Sequence, residues 1–425
     1  MHAIGIDIGT TSICGVLIDG ISGMLLKQKT IESRAFICTE NVWEKIQDVS
    51  KIVTLAKAIL EELLDDETIV IGLTGQMHGI LYTDREGKAV SPLYTWQDER
   101  GNLPYKDTTY AAYMDSYTGY GHVTDFYNRI NGLRPAEAVS FCTIQDYLGM
   151  ELCGLKRPVI HTSNMASFGK PCAGDASVWE GETVAGYEVI GEYKGIPVAV
   201  AIGDNQAGVF STLANEEEIL VNVGTGSQIT LVSDKPVEGE GIEVRPYLES
   251  KYLIVGAALC GGRAYAVLKD FYSEVLQAAG VKISDIYGLM EKMMDEEKEV
   301  HMPLYVDTRF AGTRAHPEVR GSITGIGEEN FRPGLLVQGV LRGMAEELYG
   351  MYQSMNLKRK GLVGSGNGIR KNRKLIETVE ECFKETLKIP AHKEEAAYGA
   401  ALFGLVACGK YKNGAEVQKL IRYED

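Results

Sequence analysis

The stretch AIGIDIGTTSICGVL at residues 3–17 decides the fold of the N-terminal half. Apolar residues alternate at Ile4, Ile6 and Ile8, and this period of two predicts a β-strand. A Gly-Thr-Thr-Ser segment follows, and the apolar run ICGVL after it predicts another strand. The whole stretch therefore predicts a strand, a tight turn and a returning strand.

A second copy of this pattern lies at residues 219–232, which read ILVNVGTGSQITLV. Four positions correspond between the copies, namely Gly9 with Gly224, Thr10 with Thr225, Ser12 with Ser227 and Asp7 with Asn222. A repeat of this kind indicates a duplicated chain with two similar halves. We therefore predict one domain at residues 1–211 and another at residues 212–425.

Each Gly-Thr-x-Ser turn gathers backbone N–H groups and hydroxyls that suit the oxygens of a phosphate. A single turn of this kind is more often a plain hairpin than a binding site. Two of them at equivalent places in a duplicated chain favour a pair that holds one polyphosphate. The chain has no GxxxxGK[ST] motif, so a P-loop is excluded.

The composition is that of an acidic globular protein. Its 43 Lys and Arg against 58 Asp and Glu give a net charge of −15, which argues against a general nucleic-acid binder. The eight cysteines contain no C-x-x-C pair and the seven histidines are scattered, so we expect reduced thiols and no zinc site. No signal-peptide pattern is present, and the apolar runs reach about half of the ~20 residues that span a bilayer. We expect a soluble, cytoplasmic protein that binds neither nucleic acid nor membrane.

Helical and strand patterns alternate along the rest of the chain, which predicts an α/β fold with helices covering the sheets. Helices are predicted at residues 41–65, 334–355, 374–388 and 394–408, and strands at 69–73, 361–363 and 389–391.

Three polar loops suggest a site for a small hydroxylated molecule. AVAIGDNQ at 199–206 places Asp204 beside a helix N-terminus, where it either takes a proton from a hydroxyl or caps the helix. QMHG at 76–79 follows a strand, and its Gln and His offer donors and acceptors, although a lone His there is more often structural. TWQDER at 95–100 offers an indole wall, or else a buried Trp beside a solvated charge run.

Two glycine-rich segments leave alternatives open. GSGNG at 364–368 follows a strand, but its spacing differs from the GxGxxG of a dinucleotide site. The segment Cys260-Gly261-Gly262-Arg263 suggests either close backbone approach to a ligand or a bulge without one.

The fragments GIDIGTTS, VNVGTGS and LVGSGNGIRKN together resemble the FGGY family of carbohydrate kinases, and the resemblance extends from Gly5 to about Gly404. Within that family, the fragments QMHG, TWQDER, TIQDYL, CGGRAYAVL and VDTRFAGTR are most similar to bacterial sedoheptulokinases. The chain departs from the family's first signature near residues 138–148, where it lacks the usual Lys and Trp. The resemblance implies two RNase-H-like domains of the actin and hexokinase type, which flank a cleft. It implies a sugar mainly on the first domain and a nucleotide mainly on the second.

The resemblance also implies a role for each matching residue. Asp204 is implied as the catalytic base, and Asp7 and Asp204 as the carboxylates that hold Mg²⁺, usually through water. The implied sugar contacts are Gln76, Met77, His78, Trp96, Asp98, Arg100, Asn205 and Gln206. The implied ATP contacts are Thr10, Thr11, Ser12, Gly224, Thr225, Gly226, Gly364, Ser365, Gly366 and Asn367.

These expectations describe an ATP- and Mg²⁺-dependent kinase that phosphorylates the terminal hydroxyl of a free ketose. Sedoheptulose is the first expectation, with sedoheptulose 7-phosphate as the product. Xylulose or another ketose or polyol is the alternative within the family, because QMHG does not separate these substrates. An actin-like ATPase and a sugar-binding regulator without catalysis are alternatives of other classes. A homodimer is compatible with the family.

Overall fold

The computed structural model describes residues 1–171, 179–297, 303–313 and 316–424, and the chain divides into two compact units. The first unit comprises Met1–Ala214, Pro246–Lys251 and His392–Arg422. The second unit comprises Asn215–Arg245, Tyr252–Ala391 and Tyr423–Asp425. Among the described residues we find no helix with the length and apolar content needed to span a bilayer.

The described residues up to Ala214 form six α-helices and fifteen strands, several of them short. The helices are α1 (Val49–Leu63), α2 (Tyr110–Tyr113), α3 (Gly121–Ile130), α4 (Ile144–Cys153), α5 (Thr162–Ser167) and α6 (Asp204–Thr212). The strands are β1 (His2–Ile8), β2 (Ser12–Asp19), β3 (Leu25–Glu32), β4 (Ile46–Gln47), β5 (Thr68–Gly75), β6 (Leu81–Thr83), β7 (Leu93–Tyr94), β8 (Pro104–Tyr105), β9 (Thr108–Thr109), β10 (Ser140–Cys142), β11 (Val159–His161), β12 (Glu182–Val184), β13 (Val189–Tyr193), β14 (Ile196–Ala199) and β15 (Ile202–Gly203).

The main sheet of the first unit has the strand order β13-β14-β5-β1-β2-β3, with β15 paired to the end of β5. Strands β1 and β2 are antiparallel and Ile8 lies opposite Ile13, so the hairpin predicted at residues 3–17 is confirmed. Strands β1 and β5 are parallel. The alternating isoleucines of β1 are buried against α1 and its neighbours, as a sheet covered by helices requires.

The second unit is built on a sheet of the same kind. Its strands are β16 (Ile219–Val223), β17 (Ser227–Ser233), β18 (Ile242–Pro246), β19 (Tyr252–Ala258), β20 (Tyr305–Asp307), β21 (Ser322–Thr324), β22 (Leu362–Ser365) and β23 (Leu387–Lys388). Its helices are α7 (Gly262–Ala278), α8 (Ile286–Asp295), α9 (Pro333–Ser354), α10 (Gly366–Lys371) and α11 (Arg373–Phe383). The order of its main sheet is β18-β19-β17-β16-β22-β23.

The two sheets confirm the duplication predicted from the sequence. In each unit, three antiparallel strands come first, and two parallel strands follow on the other side of the first strand. Strands β1, β2, β3, β5 and β14 thus correspond to β16, β17, β19, β22 and β23. The two Gly-Thr-x-Ser turns occupy the same place in both sheets, which follows from the matching strand order.

The C-terminal helix belongs to the first unit, although the predicted division placed it with residues 212–425. Helix α12 (Glu395–Ala407) packs on β1 and β5, and the short α13 (Gly414–Val417) follows it. A Cβ on Gly5 would lie 1.8 Å from the carbonyl oxygen of Ala397, so only glycine permits this approach of helix and strand. The packing joins segments almost 400 residues apart in the sequence, so the boundary predicted at residue 212 did not include it.

Most predicted helices are found within a few residues of their expected bounds, including α9, α11 and α12. The helix expected from residue 41 begins only at Val49, because Ile46–Gln47 pairs as β4 with β7. Asp48 then caps the helix, and its carboxylate accepts a hydrogen bond from the backbone nitrogen of Lys51. The strand expected at 389–391 lies at Leu387–Lys388 instead.

Candidate active site

Asp7 lies in β1 just before the first Gly-Thr-x-Ser turn, and its side chain is partly buried. Its Oδ1 has no hydrogen-bond partner in the described part of the chain. Burial, and then the negative charges of Asp204 and Glu394, raise the pKa of Asp7 from 3.8 to about 7. A carboxylate with one buried oxygen that has no partner among the described residues, and with two other carboxylates nearby, is a place where a cation would relieve the repulsion.

Asp204 is the first residue of α6, directly after the short strand β15. The N-cap is Gly203, so Asp204 does not occupy the capping position that was its alternative explanation. Its Oδ1 accepts a hydrogen bond of 2.6 Å from the backbone nitrogen of Asn205. The helix N-terminus favours the ionised form of Asp204, as a base requires. The structure thus places Asp7 and Asp204 within electrostatic reach of each other.

Thr10 connects the first turn to two residues that were predicted to contact a sugar. Its hydroxyl accepts a hydrogen bond of 2.9 Å from Trp96 Nε1 and donates one of 3.4 Å to Gln76 Oε1. Gln76 Nε2 in turn donates to Gln47 Oε1 at 3.0 Å, and Gln47 Nε2 donates to the Thr10 carbonyl. The Thr10 hydroxyl, predicted to bind ATP, is therefore already committed to the Trp96 and Gln76 side chains. Trp96 itself is 46% exposed.

His78 has a left-handed backbone conformation, with φ at 72°, which is uncommon for a residue other than glycine. Its Nδ1 lies 2.8 Å from the carbonyl oxygen of Ser167. Because a carbonyl only accepts, Nδ1 carries the proton, and Nε2 is the acceptor in the neutral ring. The ring stacks on Tyr120 at a centroid distance of 4.3 Å. Neither Ser167 nor Tyr120 belongs to a recognised motif, so neither was predicted from the sequence.

Met77 and Gln206 are buried between loops. The Met77 thioether lies so close to Gly203 that a Cβ there would be 2.7 Å from its sulfur. Gln206 Nε2 donates to the carbonyl of Pro246 at 2.8 Å, so its amide nitrogen is committed inside the first unit. Asn205 Oδ1 and Gln206 Oε1 have no partner in the described part of the chain. Each of these two residues therefore keeps one acceptor for a hydroxyl.

Asp98 and Arg100, predicted as sugar contacts, are instead a buried ion pair with exposures of 0% and 1%. Asp98 Oδ1 lies 2.6 Å from Arg100 Nε, and Asp98 Oδ2 also accepts from the backbone nitrogen of Lys45. The guanidinium lies over the ring of Tyr94, 4.3 Å from its centroid. With their polar atoms engaged inside the protein, these two side chains support the Trp96 loop and do not face a ligand.

The turn of the second unit at residues 224–226 is braced by the N-terminus of α7. The backbone nitrogens of Gly262 and Arg263 donate to the carbonyls of Gly224 and Thr225, each at 3.0 Å. A Cβ on Gly261 would lie 2.3 Å from the carbonyl oxygen of Gly226. The Cys260–Arg263 segment therefore makes a close backbone approach to the turn itself.

The GSGNG loop lies beside the same turn. Asn222 Nδ2 donates to Ser365 Oγ at 2.6 Å, across the parallel pair β16 and β22. Gly366 has φ at 82° and approaches the carbonyl of Val223 too closely for a Cβ. Ser365 and Gly364 are buried, whereas Thr225 and Asn367 are exposed. Of the predicted ATP contacts in this unit, Thr225 and Asn367 are thus the accessible side chains.

Family models match both halves of the chain. The N-terminal domain model of the FGGY family of carbohydrate kinases matches residues 2–107, and the C-terminal domain model matches residues 219–408. The chain belongs to the FGGY family of carbohydrate kinases. This FGGY kinase is therefore a phosphotransferase that uses ATP, as the family does.

Two relatives of this FGGY kinase match along nearly the whole chain. The sedoheptulokinase of Mus musculus is 28% identical over 471 residues, which cover 94% of this chain and 96% of the relative. The sedoheptulokinase of Homo sapiens is 28% identical over 469 residues with the same coverage. Both relatives are mammalian, whereas the sequence resemblance pointed to bacterial sedoheptulokinases.

A solved structure confirms the fold of the FGGY kinase. The xylulose kinase from Rhodospirillum rubrum superimposes with a TM-score of 0.84 at 17% identity, covering 100% of this chain and 93% of that one. At this identity the likeness shows the shared two-domain fold of the actin and hexokinase type and nothing about the substrate.

The residues of the FGGY kinase fit a magnesium ion in chemical type. Asp7 and Asp204 supply hard oxygen ligands, and Mg²⁺ typically takes one or two carboxylates and keeps several waters. Among the described residues, no group of three or more His, Cys, Asp or Glu side chains is suited to hold a metal.

Proposed function

We propose that this FGGY kinase transfers the γ-phosphoryl group of ATP to the terminal hydroxyl of a free ketose. Sedoheptulose is the proposed substrate and sedoheptulose 7-phosphate the product. The support for this sugar is the 28% identity to two sedoheptulokinases over nearly their whole length. Xylulose is the second candidate, because kinases of that sugar are also relatives.

One observation carries the proposed chemistry. Asp7 is partly buried, its buried Oδ1 has no hydrogen-bond partner among the described residues, and burial and the charge of Asp204 raise its pKa. A fold gains no stability from two carboxylates that repel each other in an enclosed place. Such a pair is retained at a site where a cation and a reacting hydroxyl are bound.

In the proposed reaction, Asp204 orients the sugar hydroxyl and accepts its proton. The hydroxyl oxygen forms a bond to the γ-phosphorus, and the bond between that phosphorus and the bridging oxygen of ADP breaks. Phosphoryl transfer requires mainly positioning and electrostatic support, so a well-placed carboxylate suffices as the base. Magnesium, held by Asp7 and Asp204, would supply positive charge to the phosphate oxygens.

Sugar recognition is proposed for the first unit. His78 Nε2 accepts one hydroxyl, Asn205 Oδ1 and Gln206 Oε1 accept others, and the exposed face of Trp96 lies against sugar C–H groups. Gln76 acts one step away, by holding Thr10 and so Trp96 in place.

Phosphate and nucleotide binding is proposed for the backbone groups of the two turns and for the GSGNG loop. Thr11 and Ser12 belong to the first turn, with Thr11 exposed, and Thr225 and Gly226 belong to the second. Asn367 is exposed at the start of α10, where it can reach the adenosine part of ATP.

The test is ADP release with Mg-ATP across sedoheptulose, xylulose, ribulose, fructose, gluconate and glycerol, with a blank that contains no sugar. We expect the highest kcat/KM for sedoheptulose. A higher value for xylulose would keep the kinase and change the proposed substrate. Release of ADP that does not depend on any sugar would instead favour an actin-like ATPase, and sugar binding without ADP release would favour a regulator.

The base is tested with Asp204→Asn and Asp204→Ala on the preferred sugar. A positioned base contributes roughly 10²–10⁴ in rate, so kcat should fall by about that factor while KM for ATP stays within about two-fold. The melting temperature should show that both variants are folded. Activity within a few-fold of wild type would contradict the assignment.

A further inference from the structure

The chain leaves regular strand structure just before the proposed base. Strand β14 ends at Ala199, and β15 resumes only at Ile202–Gly203. Val200 and Ala201 between them are fully buried. Backbone N–H and C=O groups in such a place need partners from outside the strand ladder.

Three buried side chains supply such partners, one for each of residues 201, 202 and 203, which directly precede Asp204. Asn164 Nδ2 donates to the carbonyl of residue 201 at 3.0 Å. Thr74 Oγ1 donates to the carbonyl of residue 202 at 2.8 Å. Ser163 Oγ accepts from the nitrogen of residue 203 at 3.1 Å. None of the three side chains is more than 1% exposed, so water does not compete for these bonds.

Ser163 is itself held in one orientation by His161. The backbone nitrogen of Ser163 donates to His161 Nδ1 at 3.1 Å, so this ring atom is an acceptor. The Ser163 hydroxyl lies 2.8 Å from the same atom and must donate to it, which leaves its oxygen to accept from Gly203. Burial lowers the pKa of His161 to about 4, so the ring stays neutral at physiological pH.

Asn164 also connects the base segment to the loop that carries Gln76 and His78. Its Nδ2 donates its other hydrogen to Asp146 Oδ1 at 3.1 Å, and its Oδ1 accepts from Gln145 Nε2 at 3.3 Å. Gln145 Nε2 also lies 3.2 Å from the carbonyl of Gly75, the last residue of β5 before that loop. One polar network thus touches both strand ends from which the proposed site is built.

We infer that Thr74, Ser163 and Asn164 are positioning residues that hold the Asp204 strand end in register with the sugar-binding loop. This inference rests on the proposed role of Asp204. The three buried side chains bind the backbone of residues 201–203 and act through it. An error of about 1 Å in the place of a reacting group can cost 10²-fold in rate, so fixing this segment has a measurable effect on catalysis.

A purely structural role would be simpler, because buried carbonyls must be satisfied in any fold. The two roles differ in what they predict for kinetics. A structural residue lowers stability and changes activity equally in any background. A residue that acts through Asp204 loses its effect once the Asp204 carboxylate is gone, because effects of groups that work as a unit do not add.

The test uses Thr74→Val, which removes the hydroxyl with little change of shape, and Thr74→Ser, which keeps it. Both are made in the wild-type chain and in Asp204→Asn, and the sugar phosphate formed is measured over long incubations. We expect Thr74→Val to lower kcat at least ten-fold in the wild type, with KM for ATP within two-fold. We expect Thr74→Ser to recover kcat to within about three-fold, and Thr74→Val to change kcat less than two-fold in Asp204→Asn. Ser163→Ala replaces Thr74→Val if melting shows that the latter does not fold.

The outcomes separate this inference from the proposed function. If Asp204→Asn keeps its activity, the base assignment fails and the inference fails with it. If Asp204→Asn is inactive but Thr74→Val has wild-type kcat, the base stands and the inference alone is overturned. The same holds if Thr74→Val costs an equal factor in both backgrounds.

Discussion

Replacing Asp7 by Asn should stabilise the ligand-free protein while it abolishes activity. Burial and the charges of Asp204 and Glu394 raise the pKa of Asp7 from 3.8 to about 7. Between these two values the folded protein holds a proton that the unfolded chain has released, so the free energy of unfolding falls as the pH rises. Asn is neutral at every pH and has nearly the same shape, so it removes this dependence.

The magnitude follows from the size of the pKa shift. At 1.36 kcal/mol per pKa unit, the ionised form of Asp7 costs the folded state about 4 kcal/mol above pH 7. At pH 5 the cost is less than half as large, because there the folded carboxyl is still protonated and only the unfolded one has ionised. For a cooperative unit of roughly 250 residues, about 4 kcal/mol corresponds to about 8 °C in melting temperature.

The assay is thermal unfolding in EDTA at pH 8 and pH 5, for wild type, Asp7→Asn and the exposed control Asp66→Asn. We expect Asp7→Asn to melt higher than wild type at pH 8, with a clearly smaller gain at pH 5. The control should stay within about 0.5 kcal/mol of wild type, as exposed substitutions usually do. An Asp7→Asn gain that is absent at pH 8, or equal at both pH values, would refute the buried-charge reasoning. In the kinase assay Asp7→Asn should lose about 10²-fold or more in kcat.

Two further predictions concern the Trp96 loop. Thr10→Val removes the acceptor of Trp96 Nε1, so KM for the sugar should rise about three- to ten-fold. A double-mutant cycle with Trp96→Phe should give a coupling energy of about 0.5–3 kcal/mol. Additive effects of the two substitutions would show that the 2.9 Å hydrogen bond contributes nothing. Asp98→Asn removes the carboxylate nearest to the buried Arg100 guanidinium and leaves Glu44, 3.3 Å away, as its remaining carboxylate partner among the described residues, so denaturant unfolding should show a loss of about 3 kcal/mol; a stable variant with only a raised sugar KM would restore the direct sugar contact.

The sequence predicted the parts of the fold that depend on local pattern. Alternating isoleucines and a turn gave the β1–β2 hairpin, and its recurrence at residues 219–232 gave the second sheet. The packing of α12 on β1 could not be predicted in this way, because it depends on the absence of side chains at glycines far away in the chain. The local sequence pattern defines each helix or strand. The unit to which that element belongs is decided by contacts between residues that are far apart in the sequence.

For the candidate site, the sequence identified the loops but not the direction of their side chains. Trp96 and Asp98 stand two positions apart in one motif, yet Trp96 is half exposed and Asp98 is fully buried with Arg100. Residue types alone do not distinguish a carboxylate that binds a ligand from one that pairs inside the protein. The network of Thr74, Ser163 and Asn164 carries no motif at all, and its partners are backbone atoms that any sequence provides.

The duplication also shows how the two units differ at the position of the proposed cation ligand. Asp7 pairs in register with Thr74 across β1 and β5, and the corresponding pair across β16 and β22 is Asn222 with Ser365. In the second unit this pair is neutral and satisfies itself, since Asn222 donates to Ser365 at 2.6 Å. In the first unit Asp7 Oδ1 has no partner within the described ranges of the chain, and the Thr74 hydroxyl binds the segment that carries Asp204. In the sheet of the second unit, the pair beside the turn is thus neutral and hydrogen-bonded to itself. In the sheet of the first unit, the same position carries the Asp7 carboxyl, whose ionised form is costly, and Thr74 aligns the segment of the proposed base beside it.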